Sequence, residues 1–473
     1  MTCGDASHPM IDIAEIRQAM ADLPRADNHR PGEPVELAEV YMASSHRPAL
    51  DLERPVVIGN RGMGKSFWAH ALLNPEIREQ LARELRFPAL AVTQVVVGFN
   101  ASERFDGIAP PPPILGGAAQ ERKPDSPWRA ILSRAAAQEL GESLPEGFAD
   151  LVKWVEEDAE ACAQLLTRAD DLLQAQGRKL LVLFDALDRL GSDWAAVHTQ
   201  IQGLLQLALA TQSYRAIRVK LFLRRDQHSD PRLYEFPDGS KLHNTAVELK
   251  WNALDLYQLL FLRLRTSSAF RALEAEVGPS GPQRLVEALA GQYMGSGKKR
   301  GFVFTWIPTH LADALWEISP RTFLTAWREA ACHDPCPQDT PVDHLGLLEG
   351  VRRASEDRLA ELSQDYPWVR ALLEPLRGHM VPMEHDRLIE LWSSSGAMES
   401  ALQQVIDAGK RVIVPQLEQD DSVEMIFLKA LELIGVLEVR RNGKVDVPDI
   451  FRVEAGIKRR GGVKPPLRTR SAR

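Results

Sequence analysis

An α/β fold built on a doubly wound parallel sheet, followed by a helical lid and a winged-helix domain, is what this sequence predicts. Three observations predict it. A glycine-rich loop, Gly59-Asn60-Arg61-Gly62-Met63-Gly64-Lys65-Ser66, lies between a short apolar run and a helical pattern. A second apolar run, Leu180 to Phe184, ends in an acid, Asp185. Around these two, β-rich runs alternate with helical periodicities, as parallel βαβ units do.

Taken in order, residues 1–50 form an N-terminal segment. Ile11 to Leu23 carries an amphipathic pattern, and Val35 to Met42 suggests a second short helix. A core domain spans 51–270. Its first strand is Pro55 to Ile58, and a helix follows from Phe67 to Leu73. Leu90 to Phe99 reads as the second strand. A loop over 101–127, with Pro110 to Pro113 and Gly116-Gly117, reads as an exposed insertion; a partner-binding or lid segment is the sharper alternative. Helices are expected over Trp128 to Leu140 and Phe148 to Gln176. The strand ending at Asp185 comes next, then a helix from Trp194 to Thr211. Ile217 to Leu223 and Thr245 to Leu249 complete the strands, and Asn252 to Arg265 is a periodic helix.

The pattern then turns helical over 271–378, the expected lid. Ser319-Pro320-Arg321 reads as a helix start, with serine as cap and proline in the first turn. Arg321 is a cation at the positive end of that helix, so either a nearby phosphate or solvent must accommodate it. Residues 379–456 read as winged-helix-like: short helices at Asp386 to Ser393, Met398 to Ala408 and Val423 to Ile434, then a hairpin around Asn442-Gly443. Residues 457–473 are basic without an acid, and read as a disordered tail.

Composition narrows the classes. The chain has 473 residues, a net charge of −8 and 44% hydrophobic residues. That supports a large core and gives no global signal for nucleic acid. Four cysteines, irregularly spaced, imply a reducing compartment. Cys332-His333-x-x-Cys336 is half a metal site with no second half, and reads as ordinary thiols. No signal peptide and no run of 18 apolar residues is present, so a cytoplasmic location without membrane spans is expected.

The chemistry concentrates at two places. The loop from Gly59 to Ser66 completes the pattern G-x-x-x-x-G-K-[ST], the Walker A motif. Its glycines let backbone N–H groups converge on phosphate oxygens, and the helix start adds positive potential. Lys65 is suited to the β- and γ-phosphates and the Ser66 hydroxyl to Mg²⁺. Gly59, Asn60, Arg61, Gly62, Met63, Gly64, Lys65, Ser66 and Phe67 are therefore the expected nucleotide-binding set. Asp185 closes a buried strand where open α/β sheets bind ligands, and is expected to hold the metal. Asp188, three residues on, is suited to polarising an attacking water or to capping the next helix, and the two are compatible. Gly295-Ser296-Gly297-Lys298-Lys299 looks similar but lacks the first glycine, the hydroxyl and a preceding strand. It reads as a basic loop.

On these motifs the chain resembles the ASCE class of P-loop NTPases, which includes AAA+, KAP and STAND ATPases. Phe184-Asp185-Ala186-Leu187-Asp188-Arg189 resembles the D-D-L-D-R segment of KAP ATPases, with Ala186 departing from its second aspartate. Lys220-Leu221-Phe222-Leu223-Arg224-Arg225-Asp226 resembles the F-L-R-x-D strand end of bacterial STAND-like ATPases. The pair Lys241-Leu242, the strand Val247 to Trp251 and the leucine-rich helix Leu254 to Leu264 match the same group. The resemblance covers about residues 50–330. It implies that Arg224 or Arg225 acts near the γ-phosphate, in cis or as a finger offered to a neighbouring subunit. It makes Arg321 look like the sensor-2 arginine of an AAA+ lid.

The implied function is ATP hydrolysis with Mg²⁺, used as a conformational switch in bacterial defence or signalling with a separate effector protein or as a homo-oligomer. The alternative is a DNA-associated, initiator-like ATPase using the winged helix and basic tail. A dead ATPase acting only as a binding module is opposed by intact Lys65, Ser66, Asp185 and Asp188.

Overall fold

The computed structural model describes residues 11–24 and 35–460, except 106, 121, 192–193, 298–299, 409–411, 413 and 415–421. Five strands form one sheet: β1 Val56–Ile58, β2 Thr93–Phe99, β3 Lys179–Phe184, β4 Ile217–Leu223 and β5 Val247–Glu248. Their order is β2-β3-β4-β1-β5, and all pairs are parallel. The predicted α/β parallel sheet is therefore present, with a P-loop core. Every residue of β1 is buried, as are all but the first of β3. Such strands have both faces covered, which explains why they read as unbroken apolar runs.

The sheet core is closed by helix Ser126–Leu140. Its Trp128 meets Phe99 and Phe184 edge to face, with centroids 6.3 and 5.5 Å apart. The indole N–H donates to the Gln200 carbonyl at 2.7 Å, so the ring is buried with its polar atom satisfied. Among the described residues, Lys220 on β4 is the one lysine in the set of largest fully buried side chains. Its Nζ donates to the carbonyls of Asp51 (2.9 Å) and Arg54 (2.6 Å), tying down the segment that enters β1. Burial pushes its pKa down to about 7.

Several elements differ from expectation. The Pro-rich segment is not all loop: Pro112–Ala119 is a helix with prolines in its first turn, where a missing N–H costs nothing. The single helix expected over 148–176 is two, Phe148–Glu157 and Ala159–Ala175. Asp158 separates them with a non-helical backbone. Its N–H donates to the Trp154 carbonyl (2.9 Å), and its carboxylate accepts the Ala161 N–H (3.0 Å). One residue thus ends one helix and caps the next while the apolar period runs on. The segment Val35 to Met42 holds only the 3₁₀ turn Leu37–Glu39, and a second follows at Ser44–Leu50.

The chain divides into two compact units, with the sheet in the one comprising residues 29–250 and 402–434. The other comprises residues 1–28, 251–401 and 435–473. It carries helices Ile13–Ala21, Ala253–Leu264, Pro320–Ala331 and His344–Asp365 among others. The break thus falls after Lys250, ahead of the expected boundary at 270. Of the expected winged-helix elements, His385–Ser395 and the antiparallel hairpin Glu438–Val439/Val445–Asp446 lie in this second unit, while Val423–Leu433 lies with the sheet. The basic tail begins differently from expectation: Lys458–Arg459 is a strand parallel to Met380–Val381. Residues 461–473, and Lys298-Lys299 of the glycine-lysine loop, lie outside the described residues.

Candidate nucleotide-binding site

The glycine loop leaves β1 at the C-terminal edge of the sheet. Gly59 N–H continues the ladder to the Leu223 carbonyl (3.1 Å), and Leu249 N–H reaches the Ile58 carbonyl (2.9 Å). The loop therefore starts with strands on both sides. Gly62 and Gly64 have φ of 75° and 100°, where a side chain is strained. Helix Lys65–Ala71 follows directly, with Gly64 as its cap residue. Phe67 packs edge to face on Trp68 (5.6 Å), and the Trp68 indole N–H donates to His46 Nδ1 at 3.1 Å. His46 is fully buried, and burial drives its pKa down to about 4, so the ring is neutral and can accept.

Lys65 is half-buried, and its Nζ donates back to the carbonyls of Gly59 (2.7 Å) and Asn60 (3.1 Å). Burial lowers its pKa to about 8; Asp185, then Asp188 and Asp226, pull it upward, and Arg224 pushes it down. Those charges identify the groups gathered around the ammonium. Asp185 is buried at the end of β3, and its N–H donates to the Phe99 carbonyl at 2.8 Å. Ala186 then turns with φ of 55°, and the 3₁₀ turn Leu187–Arg189 brings Asp188 round. The Asp188 carboxylate lies 3.7 Å from Arg61 Nη2 and 3.9 Å from Arg224 Nη1. Arg224 itself is held in two-point contact with Asp226, at 3.0 and 2.8 Å.

The fold thus brings Arg61, Lys65, Asp185, Asp188 and Arg224 to one edge of the sheet. Asn60, Met63, Ser66 and Phe67 lie in the loop and its helix. Arg225 is directed elsewhere, into an ion pair with Glu248 at the end of β5. Arg321 belongs to the second unit, on helix Pro320–Ala331, capped by Ser319 as expected. There its partner is neither phosphate nor solvent alone but the Glu361 carboxylate, at 2.6 Å.

Sequence reading missed Asp226 as the clamp on Arg224, and it missed Glu248, Lys250 and His46. An acid flanked by apolar residues in Val247-Glu248-Leu249 was a usable signal, because a charge at the end of a short strand needs a partner. His46 carried none, since its partner is 22 residues away.

No family model and no curated protein sequence matches the chain. Similar solved structures include a Walker-type ATPase of Pyrococcus abyssi, at 13% identity and TM-score 0.40, covering 92% of this chain and 99% of that one. The ORC2 protein of Aeropyrum pernix is similar at 14% identity and TM-score 0.31, over 93% of this chain and 98% of its own. Cdc6p of Pyrobaculum aerophilum is similar at 12% identity and TM-score 0.28, over 85% and 86%.

Proposed function

We propose that this chain binds and hydrolyses ATP at the loop Gly59–Ser66. The observation that carries the reading is the meeting, at one sheet edge, of a complete phosphate loop with two aspartates and an arginine. In this reading Lys65 exchanges its loop carbonyls for the β- and γ-phosphate oxygens. Gly62 and Gly64 permit the backbone turn that aims N–H groups at the same phosphates. Ser66 and Asp185 are hard oxygen donors and fit Mg²⁺. Bound there, the ion would offset the charge of the triphosphate.

Asp188 orients the attacking water and accepts its hydrogen bond. The water oxygen bonds to the γ-phosphorus, the bond to the β–γ bridging oxygen breaks, and ADP and phosphate result. Arg224, held by Asp226 and reaching toward Asp188, is the cation placed for the charge that develops. We further read the activity as regulatory, a conformational switch whose effector is another polypeptide or a second copy, because the chain carries no recognisable nuclease or protease motif.

Replacing Lys65 by alanine is expected to abolish tight binding or turnover, and Asp188→Asn to keep binding while slowing hydrolysis. Calorimetry with ATP and a phosphate-release assay check both. Full turnover by Lys65→Ala would place the site elsewhere.

A further inference from the structure

A cavity of about 150 Å³ lies within the unit that holds the sheet, framed by helices Ser126–Leu140, Phe148–Glu157 and Ala159–Ala175 and by Tyr214. None of the residues lining it belongs to the phosphate loop or to the aspartates gathered there. At about 15 Å³ for each water-sized site, it has room for about ten heavy atoms.

Much of its wall is apolar. Val155, Ala159, Ala163 and Leu166 come from the two helices that Asp158 separates. Cys162 belongs to the same wall, with its Sγ 3.4 Å from the Ser133 hydroxyl. Burial pushes its thiol pKa up, so it stays neutral and presents a small apolar surface rather than a nucleophile.

The polar groups are few and held in place. Arg129 donates from Nε to Asp125 at 2.6 Å. Among the described residues that is the only hydrogen bond of its guanidinium, so the N–H groups of both Nη atoms remain to donate. The charge of Arg129 acts on both Cys162 and Tyr214, which sets the three around one space. The Tyr214 hydroxyl makes no hydrogen bond among the described residues. Its backbone is fixed, because the Asp170 carboxylate accepts the next N–H groups, from Arg215 (3.0 Å), Ala216 (2.7 Å) and Ile217 (3.1 Å).

The acids on the lining are already neutralised. Asp125 takes Arg129. Glu156 accepts the Lys123 N–H at 2.9 Å and pairs at 3.0 Å with Arg122, which is not a lining residue. Lys123 adds a cation at the exposed rim. The balance inside therefore favours an anion.

We propose that this cavity is a binding site for a small monocarboxylate with a compact apolar body. The Arg129 fork and the Tyr214 hydroxyl match one carboxylate. The wall from Val155 to Leu166 takes the apolar body, which a free phosphate lacks.

The test is titration of the full chain with phenylacetate, followed by ligand-observed NMR, with phenylacetamide as the uncharged counterpart. Ala163→Leu fills the space and leaves every charge; Arg129→Gln removes the fork. Thermal melting reports whether each variant folds. Wild type is expected to saturate with a Kd of about 1 mM or below, ordinary for a ligand of this size. Loss of the ligand's charge, or either substitution, should weaken binding about tenfold or more, the size of a charged hydrogen bond.

Absence of saturable binding by wild type would overturn the proposal. So would equal binding of phenylacetamide, or undiminished binding of phenylacetate by either folded variant. If Arg129→Gln does not fold, Ala163→Leu, at an exposed helix position, decides alone.

Discussion

Lys65 carries more of the account than any other residue. Its ammonium is held by two carbonyls of its own loop, and burial brings its pKa down to about 8. That has a consequence for binding. Below pH 8 the free protein already holds the proton that the phosphates need. Above pH 8 the proton must be taken up when ATP binds, so affinity falls as pH rises. ATP titrations between pH 7 and 9.5 should show a decline setting in near pH 8, with proton uptake detected in buffers of different ionisation enthalpy. A flat profile would mean that burial does not lower the Lys65 ammonium into this range.

Gly64 makes a second residue-scale test. A Cβ there has open space around it, but φ is +100°. Gly64→Ala should cost about 1–2 kcal/mol of loop strain. It should weaken ATP binding and lower the melting temperature by about 2–6 °C.

At the scale of elements, the insertion between β2 and β3 is the part with the clearest packing signature. Helix Trp194–Ala210 contains Gly203, and a Cβ there would lie 2.0 Å from the Pro124 carbonyl oxygen. The backbone ahead of helix Ser126–Leu140 therefore rests directly on that helix. Gly203→Ala should separate the two and destabilise the sheet unit by about 1–3 kcal/mol, as overpacking does. Chemical denaturation of the variant checks it.

The same region shows what the sequence revealed and what it hid. Buried strands such as β3 and β4 were legible because parallel strands covered on both faces are uniformly apolar. The phosphate loop was legible because its chemistry fixes residue types at fixed spacing. The helix Pro112–Ala119 was not, since prolines read as loop until a cap geometry places them in a first turn. The break at Asp158 was hidden because an aspartate that ends one helix and caps the next leaves the apolar period intact. Glu248 and His46 escaped for another reason: Arg225 and Trp68, which they meet, lie 23 and 22 residues away in sequence.

For the whole molecule, the net charge of −8 argues against DNA as a partner bound by global attraction. The C-terminal basic residues are not all available to DNA. Arg459 lies near Asp446 and Asp449, at 3.5 and 3.3 Å, and Lys458–Arg459 is paired with Met380–Val381. A truncation that tests the tail should therefore begin at Gly461. ATP hydrolysis by the full chain is expected to be indifferent to double-stranded DNA, before and after that truncation. Strong stimulation lost with residues 461–473 would favour the DNA-associated reading. If Arg225 acts in trans, mixing an Arg225→Ala chain with an Asp188→Asn chain should restore turnover.

Phosphate release from Mg·ATP by the purified chain, wild type against Lys65→Ala, tests the central claim most directly. The account predicts measurable release by wild type and loss of release in the folded variant. Equal rates in the two proteins would contradict it.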